Sequence, residues 1–360
     1  MDLSRLAVFL PCLAGGGAER SLVSLADGLA RRGHTVDLVL AHADGEYLST
    51  LPDTLRLVDL KKERVLDSVG PLRRYLRASR PAALLSALDH ANVAAILGGK
   101  LARTGTKIAV SLRNTLGEEY AHPTRGQCLT LTAARRLYPA ADAIIAVSNG
   151  VADDAARVLG LSRNRIQTIY NPVITPSLLQ EKEEPPDHPW FSDGGPPVVL
   201  GVGRLNAQKD FPTLIRAFKR LASPARLLIL GEGELRADLE TLAAPLGDRA
   251  AFPGFTKNPF PTMKACGVFA LSSRYEGLPG VLVQAMACGA PLVATDCPSG
   301  PREILEDGKW GSLVPVGDDA ALAAAIDRAL TSPRPNHPSA CLARFEEAPV
   351  LDAYERLLLG

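Results

Sequence analysis

Residues 274–296 read RYEGLPGVLVQAMACGAPLVATD, and this segment contains a loop, a helix and a strand in immediate succession. Glu276 precedes a tight Gly-Leu-Pro turn at 277–279, and an apolar helix is predicted over Val281–Cys288. A short apolar strand, Leu292–Ala294, follows the Gly and Pro that end this helix. Helices and short apolar strands in alternation are typical of a parallel α/β sheet.

The helix in this segment opens near Gly280, so its free backbone N–H groups point into the preceding loop. Such a helix end binds phosphate well. Glu276 at the turn suits the binding of sugar hydroxyls beside a phosphate, and Gln284, one helical turn farther on, can face the same ligand. An ordinary helix entry with a solvated glutamate is the alternative interpretation.

A second motif, LGVGRLNAQKDF at 200–211, places two cations after a strand. The strand ends at Gly203, Arg204 follows, and Lys209 precedes a helix that Asp210 is expected to cap. Two cations at the carboxyl end of a first strand suit a diphosphate leaving group. Surface cations beside a glycine turn are the alternative, which is weaker because both lie where an open α/β sheet binds its ligand.

A third motif, GGGAER at 15–20, lies between the first strand and the first helix. Gly16 and Gly17 would allow a phosphate or sugar to approach the backbone closely, although a tight strand–helix turn explains them equally well. The motif lacks the Gly-x-Gly-x-x-Gly spacing, and no acidic residue ends the second strand. Both omissions argue against an NAD-dependent dehydrogenase.

The whole chain repeats this alternation in two halves. Strands are predicted at Leu6–Leu10, Val36–Leu40, Ala83–Ser86, Ile108–Ser111, Ala143–Ser148, Val198–Val202, Arg226–Leu230, Ala250–Phe252, Val268–Leu271 and Leu292–Ala294. Helices are predicted at Ser21–Arg32, Pro71–Ser79, Ala91–Ala102, Val151–Leu159, Asp210–Ala222, Leu235–Leu242, Val281–Cys288 and Ala320–Ala329. We therefore expect two Rossmann-like domains.

A segment dense in Pro, Gly and charge separates the two halves and is expected to be a linker. The predicted division is an N-terminal, acceptor-side domain over 1–175, a linker over 176–197 and a C-terminal, nucleotide-sugar-binding domain over 198–340. Residues 341–360 are predicted to form a last helix that packs back toward the N-terminal domain.

Composition excludes several classes. The 360 residues carry a formal net charge of +1, so nothing favours nucleic acid as a partner. The six cysteines never occur at Cys-x-x-Cys spacing, which argues against a zinc site and for reduced thiols in a cytoplasmic protein. No stretch of about 20 apolar residues is present, so no transmembrane helix is predicted.

Taken together in order, the motifs resemble those of the family-4 retaining glycosyltransferases. The resemblance rests on GGAER at 16–20, SNGV at 148–151, YNPV at 170–173, GRLNAQKDF at 203–211, EGLPGVLVQAMACGAPLV at 276–293, SGPREIL at 299–305 and GSLVPVGD at 311–318. It implies the GT-B fold, in which two Rossmann-like domains face each other across a cleft, with no metal requirement. It also implies a donor that lies mainly on the C-terminal domain.

The resemblance assigns roles to the residues already singled out. Arg204 and Lys209 would neutralise the donor diphosphate, Glu276 would bind the transferred sugar, and Gln284 stands where the family has a second, ribose-binding glutamate. An amide still offers an acceptor oxygen to a ribose hydroxyl. The expected donor-binding set comprises Gly16, Gly17, Gly203, Arg204, Lys209, Glu276, Gly277, Leu278, Gly280, Val281 and Gln284.

Two further positions in the first half are candidates. Asp89 and His90 follow a predicted strand where the family keeps a histidine near the transferred sugar, so His90 is an expected catalytic residue and a structural histidine the alternative. Arg113, at another strand end, is a candidate ligand for an acceptor phosphate or carboxylate, as is Asp89 for the acceptor. A helix-capping or surface cation is the alternative for Arg113.

The predicted function is therefore retaining, metal-independent transfer of a hexose or N-acetylhexosamine from a nucleotide-sugar, with UDP expected, to a glycan or lipid-linked acceptor. Such a reaction belongs to polysaccharide or oligosaccharide biosynthesis and needs no cofactor. Cationic residues in 71–80 and at Arg135 and Arg136 predict either solvated helix faces or docking at the inner face of the membrane. An inactive nucleotide-sugar-binding or scaffold subunit is the alternative.

Overall fold

The computed structural model describes residues 4–14, 16–121 and 123–360, and these form two compact units. The first unit comprises Met1–Pro172 and Glu347–Gly360, and the second comprises Val173–Glu346. Each unit contains one parallel sheet with helices between its strands, so the prediction of two Rossmann-like domains is confirmed.

The described part of the first unit contains a seven-stranded sheet in the order β3-β2-β1-β4-β5-β6-β7. Its strands are β1 Arg5–Leu10, β2 Thr35–Leu40, β3 Arg56–Asp59, β4 Ala83–Ala87, β5 Lys107–Leu112, β6 Ala143–Ala146 and β7 Ile166–Thr168. Its helices up to the unit boundary are α1 Gly17–Arg31, α2 Val69–Ser79, α3 Asp89–Ala102, α4 Leu116–Glu119, α5 Arg125–Leu137 and α6 Asn149–Leu159.

The second unit, all of which is described, contains a six-stranded sheet in the order β10-β9-β8-β11-β12-β13. Its strands are β8 Val198–Val202, β9 Arg226–Leu230, β10 Ala250–Gly254, β11 Val268–Leu271, β12 Leu292–Thr295 and β13 Ser312–Val314. Its helices are α7 Pro176–Glu181, α8 Phe211–Lys219, α9 Arg236–Ala243, α10 Phe260–Ala265, α11 Gly280–Ala287, α12 Pro301–Ile304, α13 Asp319–Thr331 and α14 Ser339–Leu342.

The strands form because their apolar runs are buried on both faces by the helices. In β1 every residue after Arg5 is buried, and β11 is buried throughout. In each sheet the strand order reverses direction once, between β1 and β4 in the first and between β8 and β11 in the second. Open α/β sheets bind ligands outside the carboxyl ends of the strands at this point.

The last helix, α15 at Glu347–Leu359, belongs to the first unit, where it packs on α1. Leu351 lies 2.9 Å from the position that a Cβ would take on Gly28, so the glycine permits this close approach. Arg31 Nη2 donates to Glu347 Oε1 at 2.5 Å across the same contact.

The segment predicted as a linker is not a free connection. Residues 176–181 form α7, and the segment belongs to the second unit. Lys182 Nζ donates to Ala287 O at 3.0 Å, which fastens the segment to the end of α11.

Short or exposed elements escaped the sequence analysis. The missed strands are β3, β7 and β13, and the missed helices are α4, α5, α7, α10, α12 and α14. The β3 strand lies at the sheet edge with no buried residue, and β7 and β13 contain three residues each, so none produces a long apolar run.

Candidate active site

The switch point of the second sheet brings two predicted motifs together. The loop after β8 carries Arg204 and Lys209, and the loop after β11 carries Glu276. The two loops are joined by hydrogen bonds: Arg274 N donates to Gln208 O at 2.8 Å, and Gln208 Nε2 donates to Tyr275 O at 3.0 Å. This pairing fixes the cationic loop against the acidic one.

Lys209 and Glu276 form the central ion pair of the site. Lys209 Nζ lies 2.5 Å from Glu276 Oε1, and the two side chains are 16% and 7% exposed. Ser273 Oγ donates to the same Oε1 at 2.6 Å. The pair is therefore enclosed on the protein side yet open enough for a ligand to reach the ammonium group.

The stem of Lys209 rests on Gly203. A Cβ on this glycine would lie 3.3–3.4 Å from the Cε, Cδ and Cγ atoms of Lys209. Arg204 follows Gly203 directly and is exposed at the end of β8. Both cations therefore lie beyond the carboxyl end of this central strand, where open α/β sheets bind ligands.

The turn at 277–279 is held from the neighbouring loop. Ser299 Oγ donates to Gly277 O at 2.9 Å, and a Cβ on Gly300 would lie 2.3 Å from Cδ of Pro279. Gly300 also has φ +91°, a conformation that glycine adopts most readily. Two residues of the SGPREIL motif, Ser299 and Gly300, therefore contact the turn and hold it in position.

Helix α11 begins at Gly280, directly after the turn. Leu282 N donates to Pro279 O at 3.0 Å, whereas the N–H groups of Gly280 and Val281 meet no acceptor among the described residues. Within α11, all of which is described, Gly280, Val281 and Gln284 are the partly exposed positions and the rest are buried. These free donors form the kind of helix end that binds phosphate.

Gln284 lies on the same exposed strip as the helix start, because residues four apart share a helix face. Its side-chain amide makes no hydrogen bond to any described residue. The amide is thus available to a ligand that extends along α11 from the turn.

One local prediction at this site is wrong. Asp210 occupies the N-cap position of α8, but its side chain caps no backbone N–H group. Its Oδ2 instead accepts from Thr213 Oγ1 at 2.8 Å and pairs with Arg274 Nε at 3.2 Å. The Asp210 side chain therefore links the two loops and does not cap the N-terminus of α8.

The site contains a thiol but no activated one. Burial, and to a smaller extent the neighbouring Glu276 carboxylate, raises the pKa of Cys297 to about 12, although Lys209 opposes the shift. Cys297 is therefore protonated near neutral pH and is a poor nucleophile.

In the first unit, the glycine motif lies after β1 at the switch point of that sheet. Gly15 is outside the described residues, Gly16 precedes α1 and Gly17 is its first residue. A Cβ on Gly17 would meet nothing within 4 Å, whereas one on Gly16 would overlap Glu19 Oε2 at 2.2 Å. Open space at Gly17 leaves its backbone accessible.

Asp89 and His90 begin α3 after β4, on the other side of the same switch point. Asp89 Oδ2 accepts from Tyr120 Oη at 2.8 Å, and Oδ1 accepts from Tyr138 Oη at 3.2 Å. Burial raises the pKa of Asp89, and both hydroxyls oppose that shift. Since both oxygens are engaged, the geometry favours a supporting role for Asp89 over direct acceptor binding.

The environment of His90 favours its neutral form. The residue is exposed to solvent, yet partial desolvation by the surrounding protein lowers its pKa, and the nearby Asp89 carboxylate opposes that shift. Glu119 is also exposed, and partial desolvation by the surrounding protein, together with the Asp89 carboxylate, raises its pKa to about 7. A neutral imidazole can donate one hydrogen bond to a sugar hydroxyl.

Arg113 follows β5 and is half-buried. Burial lowers the pKa of its guanidinium, and Tyr354 and Glu19 oppose this shift; the group remains charged because arginine stays protonated in proteins. Its Nη1 lies 3.5 Å from Ser111 Oγ. A partly buried cation of this kind is suited to an anionic ligand, with Glu19 as the acidic side chain that acts on it.

Comparison with known proteins agrees with this architecture. The family model described as "Glycosyltransferase Family 4" matches residues 15–175, and the one described as "Glycosyl transferases group 1" matches residues 196–332. The chain belongs to the family-4 glycosyltransferases. The family prediction and the assignment of the chain as a glycosyltransferase are thereby confirmed.

Two relatives from Campylobacter jejuni match nearly end to end. The N-acetylgalactosamine-N,N'-diacetylbacillosaminyl-diphospho-undecaprenol 4-alpha-N-acetylgalactosaminyltransferase is 27% identical over 342 residues, which cover 89% of this chain and 88% of the relative. The GalNAc-alpha-(1->4)-GalNAc-alpha-(1->3)-diNAcBac-PP-undecaprenol alpha-1,4-N-acetyl-D-galactosaminyltransferase is 26% identical over 347 residues, which cover 91% of this chain and 89% of the relative.

A solved structure shares the fold. The crystal structure of Anabaena HepE in complex with UDP and glucose superposes with a TM-score of 0.80 at 20% identity, covering 99% of both chains. The GT-B class predicted from sequence is confirmed by this likeness.

Sequence reasoning missed the residues that support the predicted ones. Ser273, Ser299 and Gly300 in the second unit, and Tyr120 and Tyr138 in the first, contact the predicted residues or their turn. Serines and tyrosines at such spacings carry no distinguishing pattern. The SGPREIL motif was the one signal that pointed to two of them.

Proposed function

We propose that this chain is a retaining, metal-independent glycosyltransferase that moves a hexose or N-acetylhexosamine from a UDP-sugar to a glycan or lipid-linked acceptor. The observation that carries the proposal is the Lys209–Glu276 pair beside the free N–H groups of Gly280 and Val281. A cation and two backbone donors suit a diphosphate, and a carboxylate beside them suits sugar hydroxyls.

The leaving group is the centre of the proposed chemistry. As the bond from the sugar to the diphosphate breaks, negative charge grows on the phosphate oxygen, and Lys209 with Arg204 stabilises it. The α11 N-terminus contributes its N–H groups to the same phosphate. The sugar passes through an oxocarbenium-like transition state while Glu276 binds its hydroxyls.

Retention follows if the acceptor hydroxyl attacks from the face that the diphosphate leaves, with a phosphate oxygen taking the acceptor proton. This route needs no protein nucleophile, and Cys297, beside Glu276, is held as a thiol. Catalysis then depends on positioning and on charge stabilisation. Gln284 is assigned the ribose and His90 the transferred sugar.

We also propose that the reaction needs no metal ion. Among the described residues, no group of three or more His, Cys, Asp or Glu side chains is arranged to hold a metal ion. The cations Arg204 and Lys209 can instead supply the charge that a divalent metal supplies elsewhere.

The donor and acceptor classes are proposed from the relatives. HepE was crystallised with UDP and glucose, and the names of both Campylobacter enzymes contain an acetylgalactosaminyl group and undecaprenol. A UDP-N-acetylhexosamine and a polyprenyl-diphosphate oligosaccharide are therefore the substrates to test first. Arg113 is assigned to an anionic group of the acceptor.

Peripheral membrane contact is proposed from the first unit. On α5, which includes Arg135 and Arg136, Leu129 is 72% exposed, and residues 123–140 contain three arginines and no acidic residue. Cations with an exposed apolar side chain suit an anionic lipid surface. No helix in the described ranges is both long and apolar enough to cross a bilayer.

The second candidate function is an inactive nucleotide-sugar-binding subunit, which Gln284 favours because the family has a glutamate there. The experiment is transfer by the purified protein from a panel of UDP- and other nucleotide-sugars to an undecaprenyl-diphosphate oligosaccharide. We expect product with the anomeric configuration of the donor, read by NMR. Donor binding without transfer or donor hydrolysis would favour the inactive subunit, and an inverted product would refute retention.

A further inference from the structure

Ser273 lies between β11 and Glu276 with its hydroxyl turned toward the carboxylate. Ser273 is fully buried, and its Oγ donates to Glu276 Oε1 at 2.6 Å. Its backbone is fixed in turn, because Thr295 Oγ1 donates to Ser273 O at 2.6 Å. A buried donor whose own backbone is held can hold a neighbouring side chain in one orientation.

The two oxygens of Glu276 are used unequally. Oε1 receives both Lys209 Nζ and Ser273 Oγ, whereas Oε2 makes no hydrogen bond to any described residue. The protein therefore holds the carboxylate through Oε1, and Oε2 can accept a hydrogen bond from a ligand.

In the proposed reaction Lys209 interacts with two anionic groups, the Glu276 carboxylate and the donor diphosphate. In the structure it neutralises Glu276, but the proposed reaction requires it at the donor diphosphate. A single ammonium group that moves to the phosphate weakens its hold on the carboxylate. Ser273 Oγ is then the protein donor that remains on Oε1.

We propose that Ser273 is the positioning residue of Glu276: it keeps the carboxylate aimed at the sugar hydroxyls when the donor draws Lys209 away. This inference rests on the proposed function, since it assumes a sugar at Glu276 and a diphosphate at Lys209. Ser273 itself contacts neither. Its effect should therefore appear in recognition of the sugar and not of the nucleotide.

The experiment compares Ser273→Ala with the neighbouring Ser272→Ala. Ser272 is also buried, but its Oγ donates to Lys209 O at 2.8 Å and makes no hydrogen bond to Glu276. Calorimetry would give Kd for UDP and for the UDP-sugar that the wild type prefers. Kinetics would give kcat and the preference for that donor over its epimer at a sugar hydroxyl.

For Ser273→Ala we expect the UDP Kd to stay within about two-fold of wild type. The extra affinity due to the sugar and the preference over the epimer should fall, and kcat should fall by about 10–100-fold, the effect of losing one hydrogen bond to a charged group. Ser273→Thr, which keeps a hydroxyl, should recover part of the preference. Ser272→Ala should leave the donor preference at the wild-type value.

Several results would overturn the assignment. A folded Ser273→Ala protein, shown by a melting curve, with wild-type donor preference and sugar affinity would remove the positioning role alone. Equal loss of UDP and UDP-sugar affinity would make Ser273 a support of the turn only. A wild-type protein that binds no nucleotide-sugar would overturn the proposed function and this inference with it.

Discussion

Replacing Gly300 by alanine should distort the turn that we assign to the donor phosphate. The added Cβ would lie 2.3 Å from Cδ of Pro279 and 3.3 Å from Gly277 O. Real Cβ atoms do not approach a ring carbon so closely, and Pro279 cannot turn aside because its ring is part of the backbone. The turn at 277–279 must therefore move.

The magnitude has two parts. Gly300 has φ +91° and ψ −66°, and holding alanine in such a sparsely populated region costs about 1–3 kcal/mol. Relieving the contact by moving the turn adds about 1–3 kcal/mol, the usual cost of overpacking. Gly289 provides a matched control: it has φ +74° at the other end of α11, but a Cβ there would meet nothing within 4 Å. Gly289→Ala should therefore show the backbone cost without the clash.

The assay is thermal melting together with UDP affinity. Gly300→Ala should lower Tm more than Gly289→Ala does, and it should also weaken UDP binding by about ten-fold or more if one phosphate hydrogen bond worth about 1.4 kcal/mol is lost. Gly289→Ala should bind UDP like the wild type. Equal UDP affinity in a folded Gly300→Ala protein would refute the assignment of the phosphate to this turn.

Further predictions address the charges, the metal, the ribose and the pH dependence. Arg204→Ala and Lys209→Ala should each lower kcat by about 10²–10³-fold in steady-state assays, and unchanged rates in both would refute their role at the leaving group. Transfer should continue in excess EDTA, whereas loss of transfer that Mn²⁺ or Mg²⁺ restores would contradict metal independence. Gln284→Glu should keep transfer and Gln284→Ala should raise the donor KM more than it lowers kcat; a folded but inactive Gln284→Glu would exclude the ribose role. Glu119→Gln should raise Tm at pH 8 and not at pH 4. The folded pKa of Glu119 is about 7, above its ordinary value of 4.5, so the folded protein binds this proton more tightly than the unfolded chain does. As the pH rises from 4.5 through 7, ionisation of Glu119 therefore destabilises the folded wild type, and glutamine removes that cost. Identical melting shifts at both pH values would show that the carboxylate is not destabilised by its surroundings.

The sequence predicts the long central strands and the main helices because their signals are local. A strand such as β11 is a buried apolar run, and α11 is an apolar segment between a proline turn and a glycine. The exposed edge strand β3 and the three-residue β7 and β13 give no such run, and their positions depend on pairing with a distant neighbour. The side chain of Asp210 was misassigned for the same reason, because Arg274 competes for it from another loop.

The residues of the candidate site likewise fall into those that the sequence predicts and those that depend on packing. Arg204, Lys209, Glu276 and Gln284 were found because each lies at the end of a predicted strand or the start of a predicted helix, and parallel topology brings such ends to one edge of the sheet. Lys209 and Glu276 are 67 residues apart in sequence, yet the neighbouring positions of β8 and β11 place their charged atoms 2.5 Å apart. Ser273 could not be predicted in this way, since a serine three residues before a glutamate is common. Its role depends on the direction in which one hydroxyl donates. Topology thus selects the residues that meet a ligand, whereas three-dimensional packing selects the residues that hold them in position.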